Sequence, residues 1–117
     1  MSRRAAARQG EIHNVNLNPT AGSEIQGLRP VLVLSNHEFN KGGRALVAPI
    51  TQAGNFERVA GWSVNLTGSG TTVQGAAVIS QCRVLDLAAC GARRIDLAPR
   101  FVIDEALGKL EAMTADE

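Results

Sequence analysis

Two short aliphatic runs, "RPVLVLS" (29–35) and "RALVAPIT" (44–51), set the tightest limit on the fold. Apolar residues fill consecutive positions in both, without the every-third-or-fourth spacing of an amphipathic helix. Runs of this length and composition are strands covered on both faces. Pro30 stands at the start of the first, where no ladder donor is missed. A polar, turn-rich stretch, "NPTAGSEIQGL", delivers Arg29 to the mouth of that strand. A permanent charge there is either a solvated strand end or a phosphate-binding group held by rigid backbone.

The remaining segments read as short strands, long loops and one helix. "GEIHNVNLN" is a strand, with His13, Val15 and Leu17 on a drier face and Ile12, Asn14 and Asn16 opposite. "NHEFNKGG" holds one helical turn, capped by Asn36 and stopped by two glycines. "QAGNFERVAG" is a second long polar loop, "WSVNL" a strand with Trp62 assigned to the core, and "TGSGTT" a turn. "VQGAAVISQCRVL" is a long strand whose small residues allow a sharp bend. "DLAAC" is a helical turn and "RRIDL" a last strand. Pro99 suits a first helical position. Val102, Ile103, Ala106, Leu107, Leu110 and Met113 then recur at helical spacing, with Gly108 weakening the helix. Without βαβ alternation or repeats, the expected class is mainly β with α: a small, strongly bent antiparallel barrel or sandwich closed by a C-terminal helix.

Length and composition narrow the setting. A chain of 117 residues holds one domain with a modest core. The expected division is a flexible tail over residues 1–9 and a single domain over 10–117. No apolar run approaches the roughly 20 residues of a membrane span, and no signal-peptide core follows the basic "MSRRAAARQGE". A cytoplasmic protein with no membrane contact is expected, the basic end being a tail or, as the rival reading, a nucleic-acid-binding arm. Cys82 and Cys90, with no zinc-ligand spacing and no histidine nearby, read as buried or half-buried thiols in a reducing compartment. Residues 1–60 hold seven Lys/Arg against four Asp/Glu, whereas residues 61–117 hold five against seven. A basic surface in the N-terminal half suits a polyanion such as RNA.

The polar loops carry the candidate chemistry. Thr20, Ser23, Glu24, Gln26 and Arg29 fall within ten residues; Thr51 and Gln52 end a buried strand; Asn55 and Arg58 follow; Gln81 and Arg83 leave the long strand. His13 and His37 are not paired by anything in the sequence. No phosphate-cradling glycine motif, nucleophile elbow or metal-spaced carboxylate cluster is present, so neither a cofactor nor a metal is expected.

"GEI", "NPTAGSEIQGLRPVLVLS", "VAPIT" and "SQCRVLDL", in this order and spacing, resemble the MazF/PemK/Kid toxin family, and "FNKGGRALVAPITQAGNFERVAGWSVNL" looks especially close to its ChpB branch. The match spans roughly residues 10–113. The resemblance implies an SH3-like barrel of the CcdB/MazF type in a homodimer. It implies the toxin of a type II toxin–antitoxin system, a ribosome- and metal-independent endoribonuclease (an mRNA interferase) that arrests growth by cutting single-stranded RNA at short sequences. A 2′,3′-cyclic phosphate and a 5′-hydroxyl are the implied products. The implied partners are RNA and an antitoxin, with DNA met only indirectly through the toxin–antitoxin complex.

Carried over by position, the family's loop arginine falls on Arg29, its threonine after the third strand on Thr51, its loop glutamate on Glu24 and its strand glutamine on Gln81. Arg29 suits charge stabilisation on the phosphoryl oxygens, since a guanidinium donates two fixed hydrogen bonds and stays protonated. Thr51 donates to a phosphate oxygen or holds Arg29. Glu24 either accepts the 2′-hydroxyl proton or orients Arg29. Asn18, Thr20, Ser23, Gln26, Gln52, Asn55, Arg58, Gln81 and Arg83 are candidates for binding RNA, with Phe56 as a stacking platform and Trp62 a second one if it is not in the core. Two positions depart from the family. Ser23 stands where Kid-type members have histidine, and Ser80 where many have an acid, so acid–base roles tied to those positions do not transfer. Two rivals remain: a protein-targeting toxin of the gyrase-poison type, which the acidic, non-aromatic end "LEAMTADE" argues against, and a catalytically silent binding barrel.

Overall fold

The computed structural model describes residues 5–17, 27–52 and 61–117. The chain order is β1 (Glu11–Leu17), β2 (Gly27–Val33), α1 (His37–Asn40), β3 (Ala45–Thr51), β4 (Ser63–Asn65), β5 (Ala76–Val78), β6 (Arg83–Leu85), β7 (Arg93–Leu97) and α2 (Arg100–Met113). All strand pairings among these are antiparallel, in the order β4-β5-β3-β2-β1-β7, with β6 also on β3. The protein is therefore a mainly antiparallel β structure with a C-terminal helix, as its short strands and single helical stretch require.

Strand β3 is the hinge of the sheet. Its first half pairs with β6 (Val47↔Arg83) and its last two residues pair with β5 (Ile50↔Ala77, Thr51↔Ala76). Between β5 and β6 lies a 3-10 turn, Ile79–Gln81, which breaks the expected long strand in two. The bend expected of its small residues is this turn. One edge of β3 thus serves two half-sheets.

Alternation along the strands sends side chains to two cores. Leu32, Ala48 and Ile50 face a core capped by Val102, Ile103 and Ala106 of α2. Val31, Val33, Ala45 and Val47 face a second, smaller core, covered by Ala7, Leu87 and Ala92. Ile12 belongs to the first core and Val15 and Leu17 to the second. The face of β1 expected to be polar at Ile12 is therefore covered, because α2 lies across it. At Gly10 (φ +92°), a Cβ would stand 2.3 Å from Ile103 Cδ1, so the absent side chain lets the chain enter β1 beneath the helix.

Three further expectations meet their structure here. The turn at α1 is capped as expected, Asn36 accepting from the Phe39 N–H at 2.9 Å. Pro99 is the residue before α2 and not its first turn, and Met113 at the far end of the apolar stripe is 38% exposed. Trp62 is not a core residue. It is 41% exposed because it sits before β4, where its carbonyl, accepting from the Ile79 N–H at 2.8 Å, supplies the packing contact.

Candidate nucleic-acid site at the strand ends

The register of β2 on β3 relates the strand ends that carry Arg29 and Thr51. Val31 lies opposite Pro49, Leu32 opposite Ala48, and Val33 opposite Val47. Continued two residues toward the loop ends, this register sets Arg29 opposite Thr51. The ladder itself stops at Val31↔Pro49, next to two residues, Pro30 and Pro49, that have no N–H to donate. Arg29 shares its face with Val31 and Val33, and Thr51 shares that same face with Val47 and Pro49. Both therefore lie on the smaller-core side of the sheet. Arg29 is half-buried and pairs with Val15 of β1, while Thr51 is only 4% exposed.

Backbone packing fixes Thr51 from below. Gly75 enters β5 at φ +116°, and a Cβ on it would stand 2.2 Å from the Thr51 carbonyl oxygen. Any side chain there pushes β5 off the end of β3. The Gly75 carbonyl accepts from Leu66 N–H at 2.8 Å, and its N–H donates to Thr67 Oγ1 at 3.2 Å, so the approach is locked from both sides.

Arg83 lies opposite Val47, on the same face and about 14 Å farther along the strands than Thr51. Gln81 ends the 3-10 turn, half-buried, on the edge of β3 that Arg83 also occupies. Arg29, Thr51, Gln81 and Arg83 each engage a neighbouring group. Gln52 is exposed, its Nε2 donating to the Gln74 carbonyl at 3.4 Å. Gln52, Gln81 and Arg83 thus lie along the β5/β6 edge of β3, and Arg29 lies on β2 across its other edge. Asn18, Thr20, Ser23, Glu24, Gln26, Asn55, Phe56 and Arg58 lie outside the described residues. Among the described residues, no group of three or more His, Cys, Asp or Glu is placed to hold a metal, and no helix is long and apolar enough to cross a membrane.

The family described as "PemK-like, MazF-like toxin of type II toxin-antitoxin system" matches residues 8–114. The chain belongs to it. The chain is 46% identical to "Endoribonuclease toxin ChpB" of Escherichia coli (strain K12) over 114 residues, covering 97% of this chain and 98% of that one. Its fold superposes on MazF from Deinococcus radiodurans with a TM-score of 0.82 at 30% identity, covering 92% of this chain and 96% of that one. A MazE-MazF structure from the same organism gives a TM-score of 0.73 at 31% identity, covering 92% and 95%.

Sequence reasoning missed one pairing. His13 and His37, 24 positions apart, line a single cavity on the smaller-core side. His13 Nε2 lies 3.0 Å from Glu11 Oε1, and Arg94 Nε lies 3.8 Å from the other oxygen of that carboxylate. The signal was present in β1: His13 shares a strand face with Val15, the partner of Arg29.

Proposed function

We propose that this chain is the endoribonuclease toxin of a type II toxin–antitoxin system, and that Arg29 and Thr51 form the centre at which it cuts single-stranded RNA. What supports the site is the register of β2 on β3, which, continued past its last pair, sets a half-buried arginine opposite a buried threonine.

The chemistry follows from charge. A ribose 2′-oxygen attacks the adjacent phosphorus, the bond to the 5′-oxygen breaks, and negative charge builds on the phosphoryl oxygens between these events. A guanidinium held by β2 meets that charge with two hydrogen bonds and needs no rearrangement as the charge develops. Thr51 adds one hydroxyl donor from the neighbouring strand. The 2′-hydroxyl proton passes to a base and the departing 5′-oxygen takes up a proton, leaving a 2′,3′-cyclic phosphate and a 5′-hydroxyl. Glu24 is the proposed base. No metal takes part in this scheme. Gln52, Gln81 and Arg83 line the path of the strand, and Asn18, Thr20, Ser23, Gln26, Asn55, Phe56 and Arg58 complete it from the two loops.

The reading includes a homodimeric, cytoplasmic protein with residues 10–117 as its toxin domain and residues 1–9 as a tail. An antitoxin covers the RNA path. The relative solved as a MazE-MazF complex supports that partner. The test is cleavage of a long unstructured RNA in EDTA, with Arg29→Ala in parallel and mapping of the product ends. Recurrent cuts at one short sequence, with cyclic phosphate ends that vanish in the variant, are expected. A folded wild-type protein that cuts no RNA containing all short sequences refutes the reading.

A further inference from the structure

A second cavity, sharing none of the residues assigned to cleavage, opens near the other end of β3. It measures about 570 Å³, within the roughly 300–1,000 Å³ of pockets that hold small molecules. Its walls are apolar and small: Ala5, Ala6, Ala7, Ala45, Leu87 and Ala88. Its cations are Arg8, Lys41 and Arg44, and no Asp or Glu lines it. Lys41 is within 3.2 Å of Glu38, an exposed pair of little strength. Arg8 and Arg44 have no carboxylate partner among the described residues.

The cavity is built, and its wall is pinned in place. Asn40, only 4% exposed, donates from Nδ2 to the Ala7 carbonyl at 2.9 Å and to the Ser35 carbonyl at 3.1 Å. Its Oδ1 accepts from Ser35 Oγ at 2.5 Å, and that hydroxyl oxygen accepts from the Leu46 N–H at 2.8 Å. This network ties the segment before β1 to α1 and to β3. His37 Nδ1 lies 3.4 Å from the same Ala7 carbonyl. The lining thus combines positive charge, apolar surface and hydrogen-bonding side chains.

We propose that this cavity binds a nucleoside phosphate, the phosphate between Arg8 and Arg44 and the base against the alanine and leucine walls. The phosphate-bearing nucleotide comes either from a strand of RNA or from free nucleotide. Arginine pairs favour phosphate oxygens through paired N–H donors. The apolar interior discriminates against inorganic phosphate, which has no face to lay upon it. The inference uses the chemistry of the cavity alone. A failure of RNA cleavage overturns the reading above and leaves this one standing.

The test is a titration of the ¹⁵N-labelled full chain with uridine 5′-monophosphate, inorganic phosphate and a mixed-sequence RNA oligonucleotide methylated at every 2′-oxygen. Expected are shifts at the amides of Ala6–Arg8, Gly43–Ala45 and Ala88 on adding the mononucleotide, with Thr51, Gln52 and Ala76 unmoved. Inorganic phosphate should bind at least tenfold more weakly. Arg8→Glu combined with Arg44→Glu, both exposed positions, should weaken nucleotide binding at least tenfold while the amide spectrum stays folded. If the oligonucleotide moves the same amides at lower concentration than the mononucleotide, the source is an RNA strand; the reverse order identifies free nucleotide. Equal affinity for inorganic phosphate, unchanged binding by the double variant, or shifts at Thr51 and Gln52 in place of the cavity overturn the proposal.

Discussion

The two faces of the central sheet are closed in different ways. On one, Leu32, Ala48 and Ile50 meet a regular helix, and Val102, Ile103 and Ala106 seal the core. On the other, Val31, Val33 and Val47 pack with Val15 and Leu17 and are covered by the segment around Ala7 and the stretch holding Leu87 and Ala92. A helix covers a sheet continuously, whereas two irregular segments leave gaps. A cavity of about 570 Å³ lies on this side. Strand parity therefore decides which of the two cores a side chain joins.

The largest effect expected of that division is on stability. Leu32 is fully buried beneath α2, and Leu32→Ala removes its contacts and leaves a cavity. About 2–5 kcal/mol of unfolding free energy should be lost, read by denaturant titration. Arg29→Ala, on the other face, should leave the denaturation midpoint within about 0.5 kcal/mol and lower the RNA cleavage rate by about 10²–10³-fold, the usual cost of removing one charge-stabilising donor. If Arg29→Ala instead unfolds the protein while cleavage per folded molecule persists, the faces are not divided in this way.

Gly75→Ala tests the joint between the faces. Its φ is positive, and the added Cβ would stand 2.2 Å from the Thr51 carbonyl, so β5 must move. Strain of this kind costs about 1–3 kcal/mol. Because Thr51 ends the strand that is displaced, cleavage should fall further than the loss of folded protein explains. A Gly75→Ala protein with reduced stability but full activity per folded molecule would show that the Thr51 position is not critical.

Much of the fold could be read directly from residues. Consecutive aliphatics in β2 and β3 marked strands covered on both sides, and helical spacing from Val102 marked α2. Trp62 misled because residue type reports affinity for a core and not access to one; its backbone is fixed by Ile79 while its ring stays outside. The approach of Arg29 to Thr51 had no local sign. It depends on the register of β2 on β3, a long-range pairing. The resemblance supplied both residues, and the register of β2 on β3 is what relates their strand ends. His13 and His37 went unpaired because the contact between their regions runs through Ala7, an alanine with no chemistry of its own to notice.

The smallest expected effect concerns the edge where the two half-sheets close. Asp96 Oδ2 accepts from the Thr72 and Val73 N–H groups at 2.6 and 3.1 Å, and Oδ1 accepts from its own neighbour Leu97 at 2.8 Å. Burial opposes the charged form, but the three backbone donors outweigh it and hold the carboxyl below the usual aspartate range. The folded state thus binds this proton less readily than the unfolded state. Its stabilisation is complete above the ordinary aspartate value of about 3.9 and is lost as pH falls through the lower folded value. Asp96→Asn should cost about 1 kcal/mol near neutral pH, since a neutral amide accepts these bonds less strongly. The gap between variant and wild type should narrow steadily below about pH 4, read as thermal midpoints across an acid series. A gap independent of pH would mean that the carboxylate charge contributes nothing and that shape alone joins β7 to the turn before β5.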